Sequence, residues 1–217
     1  MTKRLKEICS LIPPSKCFAD IGCDHGYCAR FVLERGLADR VYITDISAKS
    51  LQKAVTLLKD EIAAGRCIPL VGDGLKPLNE PCTVLIAGLG GEEIVKILSE
   101  KMPPRFILQP MKNTDKVRRF LIANGCRVTH DYTFEDGKYY DLLAGESGKE
   151  DFYTEREFVY GRDNLKNPSR AFLKKLKEDI LKTQEYLKAS KSASERERLH
   201  VTLLEKEEIL HEIEGNL

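Results

Sequence analysis

One stretch constrains the fold most: Cys17-Phe18-Ala19-Asp20-Ile21-Gly22-Cys23-Asp24-His25-Gly26-Tyr27. A short apolar run ends in Asp20, two glycines follow, and from about Ala29 the pattern turns helical. That order predicts a strand, a tight turn and a helix start. Gly22 and Gly26 lack a Cβ, so backbone amides there can close on a ligand, at the positive end of the following helix. A dinucleotide fingerprint reads G-x-G-x-x-G; here the form is D-x-G-x-D-x-G, with a carboxylate at the strand tip. A carboxylate repels a pyrophosphate and suits a cationic amine and sulfonium. The stretch therefore points to S-adenosylmethionine rather than NAD.

The rest of the chain alternates strands and helices. A leading helix is expected over 2–12, stopped by Pro13-Pro14, then a strand over 17–21 and a helix over 28–35 that ends at Gly36. A second strand covers 40–45. Ser47 then caps one long helix with Leu51, Ala54, Val55, Leu58 and Ile62 on a face, closed by Gly65. The third strand, 67–71, contains Pro69, which suits a sheet edge. Strands over 83–87 and 106–109 are each followed by a helix, the second over 114–124. This alternation gives a parallel sheet with crossover helices. Two further strands, 126–134 and 138–144, flank Asp136-Gly137, a hairpin turn. An α/β Rossmann-like sheet of parallel strands closed by an antiparallel hairpin is the order of S-adenosylmethionine-dependent methyltransferases, unlike the six parallel strands of a NAD domain.

Three strand ends then line up, and ligands bind at such ends in parallel sheets. Asp20 and Gly22 end the first, Asp45 with Ile46 ends the second, and Asp73 between Gly72 and Gly74 ends the third. Asp45 stands at the spacing expected of a ribose ligand. With Gly26, Ala87 and Gly88 these are the expected cofactor contacts. Gly88-Leu89-Gly90-Gly91 follows the fourth strand, where many amino-methylating enzymes carry Asn/Asp-Pro-Pro-Tyr/Phe. Its amides suit a ligand carboxylate, the target base or simply a tight turn into the next helix.

After about Phe152 the pattern becomes two long helical stretches, 168–190 and 193–214, broken near Ser190-Lys191-Ser192. Leu173, Leu176, Ile180, Thr183 and Leu187 face Leu199, Leu203, Leu210 and Ile213, with Lys206 interrupting, as a narrow coiled-coil seam. The short break makes the helices antiparallel. The expected division is a methyltransferase domain over 1–152 and a helical hairpin over 153–217. The first helix is basic, including Lys174, Lys175 and Lys182, and the second acidic. A second basic cluster holds Lys112, Lys116, Arg118 and Arg119. With a net charge of only +1, nucleic-acid binding must rest on such local patches.

Asp-Ile-Gly-Cys-Asp-His-Gly-Tyr (20–27), Gly-Asp-Gly-Leu (72–75), Ile-Ala-Gly-Leu-Gly-Gly (86–91), Leu-Gln-Pro (108–110) and Asp-Gly-Lys-Tyr-Tyr-Asp (136–141) together resemble the bacterial tRNA (adenine-22-N1)-methyltransferase family. The likeness spans nearly the whole chain. It implies a tRNA methyltransferase that forms 1-methyladenosine at position 22 of the D-arm. Cys23, Leu89 and Met111 depart from the family pattern, where Ser, Met and Asn are usual; the last removes a polar group near the target pocket. Neutral adenine has a lone pair at N1, so transfer needs alignment and stabilisation of the cationic purine rather than a base. Asp24 is the candidate stabiliser, His25 a partner of the base or of Asp24, and Tyr27 a stacking platform for the base or part of the pocket wall. N1 lies on the pairing edge, so the adenine must leave its partner. Substrate contacts are expected from Gly90, Gly91, Gln109, Pro110, Lys112, Arg118, Arg119, Lys174, Lys175 and Lys182. The alternatives are a methyltransferase acting on another RNA position, a small molecule or a protein, and a non-catalytic module that binds the cofactor or RNA.

A chain of 217 residues with 32% charged and 42% hydrophobic residues is globular and suits one α/β domain with an appendage. No secretory core follows Met1 and no apolar run matches a membrane span. The seven cysteines include no C-x-x-C pair, and with the four histidines make no metal-ligand spacing. Reduced, buried thiols, no metal and a cytoplasmic monomer are expected.

Overall fold

The computed structural model describes residues 1–215. Its seven strands are β1 (Ser15–Ile21), β2 (Ala38–Asp45), β3 (Cys67–Val71), β4 (Thr83–Ala87), β5 (Arg105–Gln109), β6 (Cys126–Asp136) and β7 (Lys138–Ser147). They form one sheet in the order β3-β2-β1-β4-β5-β7-β6. The first five run parallel; β7 is antiparallel to β5 and to β6. This is the Rossmann-like sheet closed by a hairpin that the sequence predicts, with Gly137 (φ 73°) at the hairpin tip.

Strand alternation explains the two cores. Phe18, Val41, Ile43, Leu85 and Ile107 point to one face and Ala19, Tyr42, Val84, Ile86 and Leu108 to the other. Helices cover both faces, so strand residues are apolar almost continuously. On the first face lie α1 (Lys3–Ser10), α2 (Tyr27–Glu34), α3 (Ala48–Leu57) and α4 (Lys59–Ala63); on the second lie α5 (Gly91–Glu100) and α6 (Thr114–Ala123). The expected single helix after Ser47 is thus two. Leu58 leaves helical dihedrals (φ −107°, ψ 19°) while its side chain stays buried. Pro69 does sit on the edge strand β3, where a missing N–H costs nothing.

The other edge, β6, is covered by the chain that follows the hairpin. Asp151 accepts from the Val128 N–H, Asp163 from Asp131 N–H (2.7 Å) and Asn164 from Thr133 N–H (2.9 Å). The Ser169 hydroxyl donates to the Thr133 carbonyl at 3.0 Å. These bonds replace a missing neighbour strand. They come from a stretch that holds two short helices, α7 (Glu155–Tyr160) and α8 (Arg162–Lys166), absent from the sequence reading. Thr154 and Glu157 form a reciprocal capping box, a signal present in the sequence.

Beyond them α9 (Arg170–Ala189) and α10 (Ala193–Gly215) form the expected antiparallel hairpin. The seam differs in register. Phe172, Leu176, Ile180 and Thr183 pack with Leu203, Ile209 and Ile213, while Leu173, Leu187 and Leu210 are only half-buried. Lys206 does not break the seam: its Nζ donates to the Thr183 hydroxyl at 2.9 Å, so two polar residues satisfy one another there.

The cysteine expectation is corrected at one pair. Cys17, in β1, and Cys82, one residue before the adjacent strand β4, form a disulfide. The other five are free and buried. Parallel pairing of β1 with β4 brings Cys17 beside Cys82, which sequence spacing alone does not reveal.

Candidate active site

The chain leaves β1 toward β2 on one side, and β4 lies on the other, so a crevice opens at the carboxyl end of β1. Period-two alternation puts Asp20 on the same face as Phe18, beneath α2. It is 8% exposed. Burial pushes its carboxyl up to about 6, partly offset by hydrogen bonds from the Cys23 thiol and the Ala29 backbone. Cys23 itself is held well above the ordinary thiol range, first by burial and then by the Asp20 charge. It therefore stays protonated and donates to Asp20.

Gly22 and Gly26 both adopt left-handed backbone (φ 72° and 73°). A Cβ on Gly26 would lie 3.0 Å from the Ala54 Cβ and 3.2 Å from Leu58, so α3 packs against the turn only because residue 26 is glycine. Asp24 and His25 lie between these glycines and Tyr27 directly after them, so the turn gathers all three predicted catalytic residues. Asp24 is half exposed; its Oδ1 accepts from Lys53 Nζ at 2.7 Å and its Oδ2 pairs with His25 Nδ1 at 2.8 Å. The Lys53 hydrogen bond above all, with His25, holds Asp24 below the usual carboxylate range. The His25 ring stacks on Tyr27, 5.6 Å between centroids and 11° between planes. Lys53, on α3, joins this group without any local signal in the sequence.

Asp20, Gly22, Asp24, His25, Gly26, Tyr27 and Ala87 line one cleft of about 330 Å³. Asp45 and Asp73 stand at the ends of the next two strands, joined by a hydrogen bond from Gly72 N–H to the Asp45 carbonyl (3.0 Å). Asp45 Oδ1 accepts from Ser47 N–H at 2.8 Å, and Asp73 accepts from Lys76 at 2.8 Å. Ile46 is 73% exposed beside Asp45. Gly72 and Gly74 admit Pro77 and Ile97, which any side chain would press against. Gly88 takes φ 86° at the β4 end. A buried acid at the β1 tip, two left-handed glycines and aspartates at three adjacent strand ends fit a cofactor with a cationic end and a ribose.

The predicted substrate contacts divide. Pro110, Lys112 and Lys175 line a second cleft of about 350 Å³ with Tyr139 and Asp141. Gly90 lies against the Lys112 side chain, and the Gly91 N–H is spent on the Lys112 carbonyl (2.9 Å). Gln109 is fully buried; its amide nitrogen donates to the Pro110 carbonyl and to the Met111 sulfur. Met111 thus supplies an acceptor where the family pattern carries Asn. Lys174 pairs with Glu135 at 2.6 Å, Lys175 with Asp179 at 2.9 Å and Arg119 with Glu155 at 2.7 Å. Lys182 is exposed and has no ion-pair partner among the described residues. Arg118 is a correction. It is 1% exposed, its Nε sits 2.9 Å from both Asp131 oxygens, and its Nη1 donates to the Phe158 and Val159 carbonyls. A guanidinium so enclosed joins α6, β6 and α7 and has no access to RNA.

A family-wide profile described as a methyltransferase domain matches residues 1–143. The chain belongs to the methyltransferase family. This methyltransferase is 34% identical over 190 residues to a Mycoplasma pneumoniae protein named "Putative tRNA methyltransferase", covering 84% of this chain and 89% of that one. It is 26% identical over 211 residues to the tRNA (adenine(22)-N(1))-methyltransferase of Bacillus subtilis, covering 91% and 89%. Its fold matches the crystal structure of a Streptococcus pneumoniae "putative tRNA (m1A22) methyltransferase" in complex with S-adenosyl-L-methionine, with TM-score 0.87 and 25% identity over 97% of this chain and 100% of that one. These matches agree with the resemblance carried by the motifs. Among the described residues of the methyltransferase, no helix is long and apolar enough to cross a membrane, and no cluster of His, Cys, Asp and Glu is arranged to hold a metal.

Proposed function

We propose that this methyltransferase uses S-adenosylmethionine to methylate N1 of an adenine in tRNA, at the position-22 site for which its Bacillus subtilis relative is named. The observation that carries the reading is the β1 turn, where a buried Asp20, two left-handed glycines and the Asp24–His25–Tyr27 group share one cleft. When bound, the cofactor supplies a methyl group on a sulfonium for attack by a neutral nitrogen lone pair. Asp20 would hold the cationic end, and Asp45 the ribose hydroxyls.

Both Asp24 oxygens are engaged, by Lys53 and by His25. Asp24 therefore acts through His25, fixing the ring and placing negative charge beside the base, rather than gripping the base alone. Tyr27, 47% exposed and backed by His25, presents a flat face on which an extruded adenine stacks. A methyl group added to neutral N1 leaves the purine cationic, and the Asp24 charge offsets that cation.

Residues 1–152 form the catalytic unit and 153–217 the RNA arm in this reading, with Lys112 and Lys182 among the phosphate contacts. The enzyme works as a cytoplasmic monomer. Incubation with S-adenosylmethionine and unmodified tRNA, followed by mass spectrometry of the nucleosides, is expected to yield 1-methyladenosine. Methylation of another nucleoside, or none, would overturn the proposal.

A further inference from the structure

The helix that follows the β1 turn carries aromatic residues one turn apart. Tyr27 and Phe31 are separated by four positions on α2, so their side chains share a face. Tyr27 belongs to the cleft described above. Phe31 lines a second groove, of about 460 Å³, with Leu5 of α1 and with Arg30 and Glu34 of α2. The two cavities adjoin: Thr2, Leu5 and Tyr27 line both. The groove has the size of a small-molecule site, and the methyl transfer described above uses none of it beyond Tyr27.

Drawing an adenine out of a stack uncovers the face of the base beside it. An aromatic side chain can cover that face, because every base has a π surface. The spacing suits neighbouring nucleotides that have been pulled apart. Four residues of helix set Tyr27 and Phe31 about 6 Å apart along the axis. Successive nucleotides of a stacked strand are only about 3.4 Å apart. Two splayed nucleotides therefore fit the pair of rings, and two stacked ones do not.

Charge favours the same occupant. The one acid of the groove, Glu34, is held by Arg30, whose Nε donates to it at 2.6 Å. The Arg35 guanidinium lies 5.7 Å from the Phe31 ring centroid and holds no carboxylate among the described residues. A cation is thus left beside the ring for a phosphate. An apolar segment of a partner protein is the competing occupant. It would use the ring and leave the cation idle, and it would have no reason to adjoin the catalytic turn.

Resting on the tRNA reading above, we propose that the α1–α2 groove is a second base subsite. There Phe31 stacks on a nucleobase that flanks the target adenine, and Arg35 takes its phosphate.

The test combines two changes on the full chain and reads tRNA affinity. Phe31→Leu keeps apolar volume against the core and removes the aromatic plane. Two tRNA variants each carry an abasic nucleotide, one on the 5′ side of the target adenine and one on the 3′ side. Wild-type protein should bind one of these about five- to a hundredfold more weakly than intact tRNA. Phe31→Leu should weaken binding of intact tRNA by a similar factor and should bind that abasic tRNA no worse, since the contact is already gone. Phe31→Tyr should bind intact tRNA like wild type. Affinity for S-adenosylmethionine and melting temperature should hold throughout. Losses that multiply when the two changes are combined would make Phe31 a structural support and overturn the proposal. Unchanged tRNA affinity in Phe31→Leu would also overturn it and leave the groove to a protein partner. A wild-type protein that neither binds nor methylates intact tRNA would overturn the tRNA reading itself, a result distinct from the others.

Discussion

The cleft at the end of β1 and the helical arm at the C-terminus handle charge in opposite ways. In the cleft a few charges are fixed by burial and by the turn: Asp20 beneath α2, and Asp24 between Lys53 and His25. On the arm and the adjoining face, basic residues are numerous, and several of them are neutralised within the chain. Lys174 holds Glu135, Lys177 holds Glu214, Arg119 holds Glu155, and Arg118 is sealed inside with Asp131. Counting cations in the sequence therefore overstates the free positive surface. A phosphate meets an uncommitted ammonium such as Lys182, or must displace an exposed ion pair worth little in water.

The sharpest way to break this contrast is Arg118. If it is a buried structural cation, Arg118→Ala leaves Asp131 uncompensated and should destabilise the fold by about 3–5 kcal/mol, read as a lowered denaturation midpoint. A variant of wild-type stability with weakened tRNA binding would return Arg118 to the RNA surface.

Asp45→Ala comes next. Loss of a charge-assisted ribose contact should weaken cofactor binding by about 1.5–3 kcal/mol in calorimetry; unchanged affinity would remove Asp45 from the site. Asp20 supplies a pH signature of similar size. Its carboxyl, raised to about 6, must be ionised to hold a cation. Cofactor affinity should be flat above that pH and fall by about tenfold per unit below it. The sign for folding is reversed. A carboxyl whose folded pKa lies above its unfolded value stabilises the protein at pH below the unfolded value, and that contribution is lost as pH rises through about 6. Asp20→Asn should therefore raise the melting temperature of the cofactor-free protein at neutral pH while weakening the cofactor. A variant that loses stability as well would contradict burial as the cause.

Within the loop, Asp24→Asn and Tyr27→Ala should lower the methyl-transfer rate more than cofactor affinity, the mark of interactions made to the target in the transition state. Proportional losses would make both residues part of the cofactor site. The smallest effect separates free from paired lysines. Lys182→Glu should shrink the salt slope of tRNA binding by about one unit, and more than Lys174→Glu does. Equal slopes for both would show that internal ion pairs do not hold the arm's cations back.

The sheet was legible because its signals are local. Gly22 and Gly26 mark a turn, Pro69 an edge, and Asp136-Gly137 a hairpin, and each stands where expected. The loop group was legible for the same reason: Asp24, His25 and Tyr27 are near neighbours in sequence. What depends on the assembled fold was not. Lys53 reaches Asp24 from another helix, and Cys17 meets Cys82 only through the pairing of β1 with β4. Arg118 reads as a surface cation because it stands in sequence with Lys116 and Arg119; it is buried because Asp131 of β6 and the carbonyls of α7 close over it.

The central claim is methylation of a pairing-edge nitrogen at one adenine, and reverse transcription tests it most directly. A methyl group on N1 blocks base pairing, so a polymerase halts beside the modified base. tRNA treated with the protein and S-adenosylmethionine should give a new stop next to adenine 22, the position for which the Bacillus subtilis relative is named. The stop should vanish without cofactor or when that base is guanine. Full-length product under all conditions, or a stop elsewhere, would contradict the account.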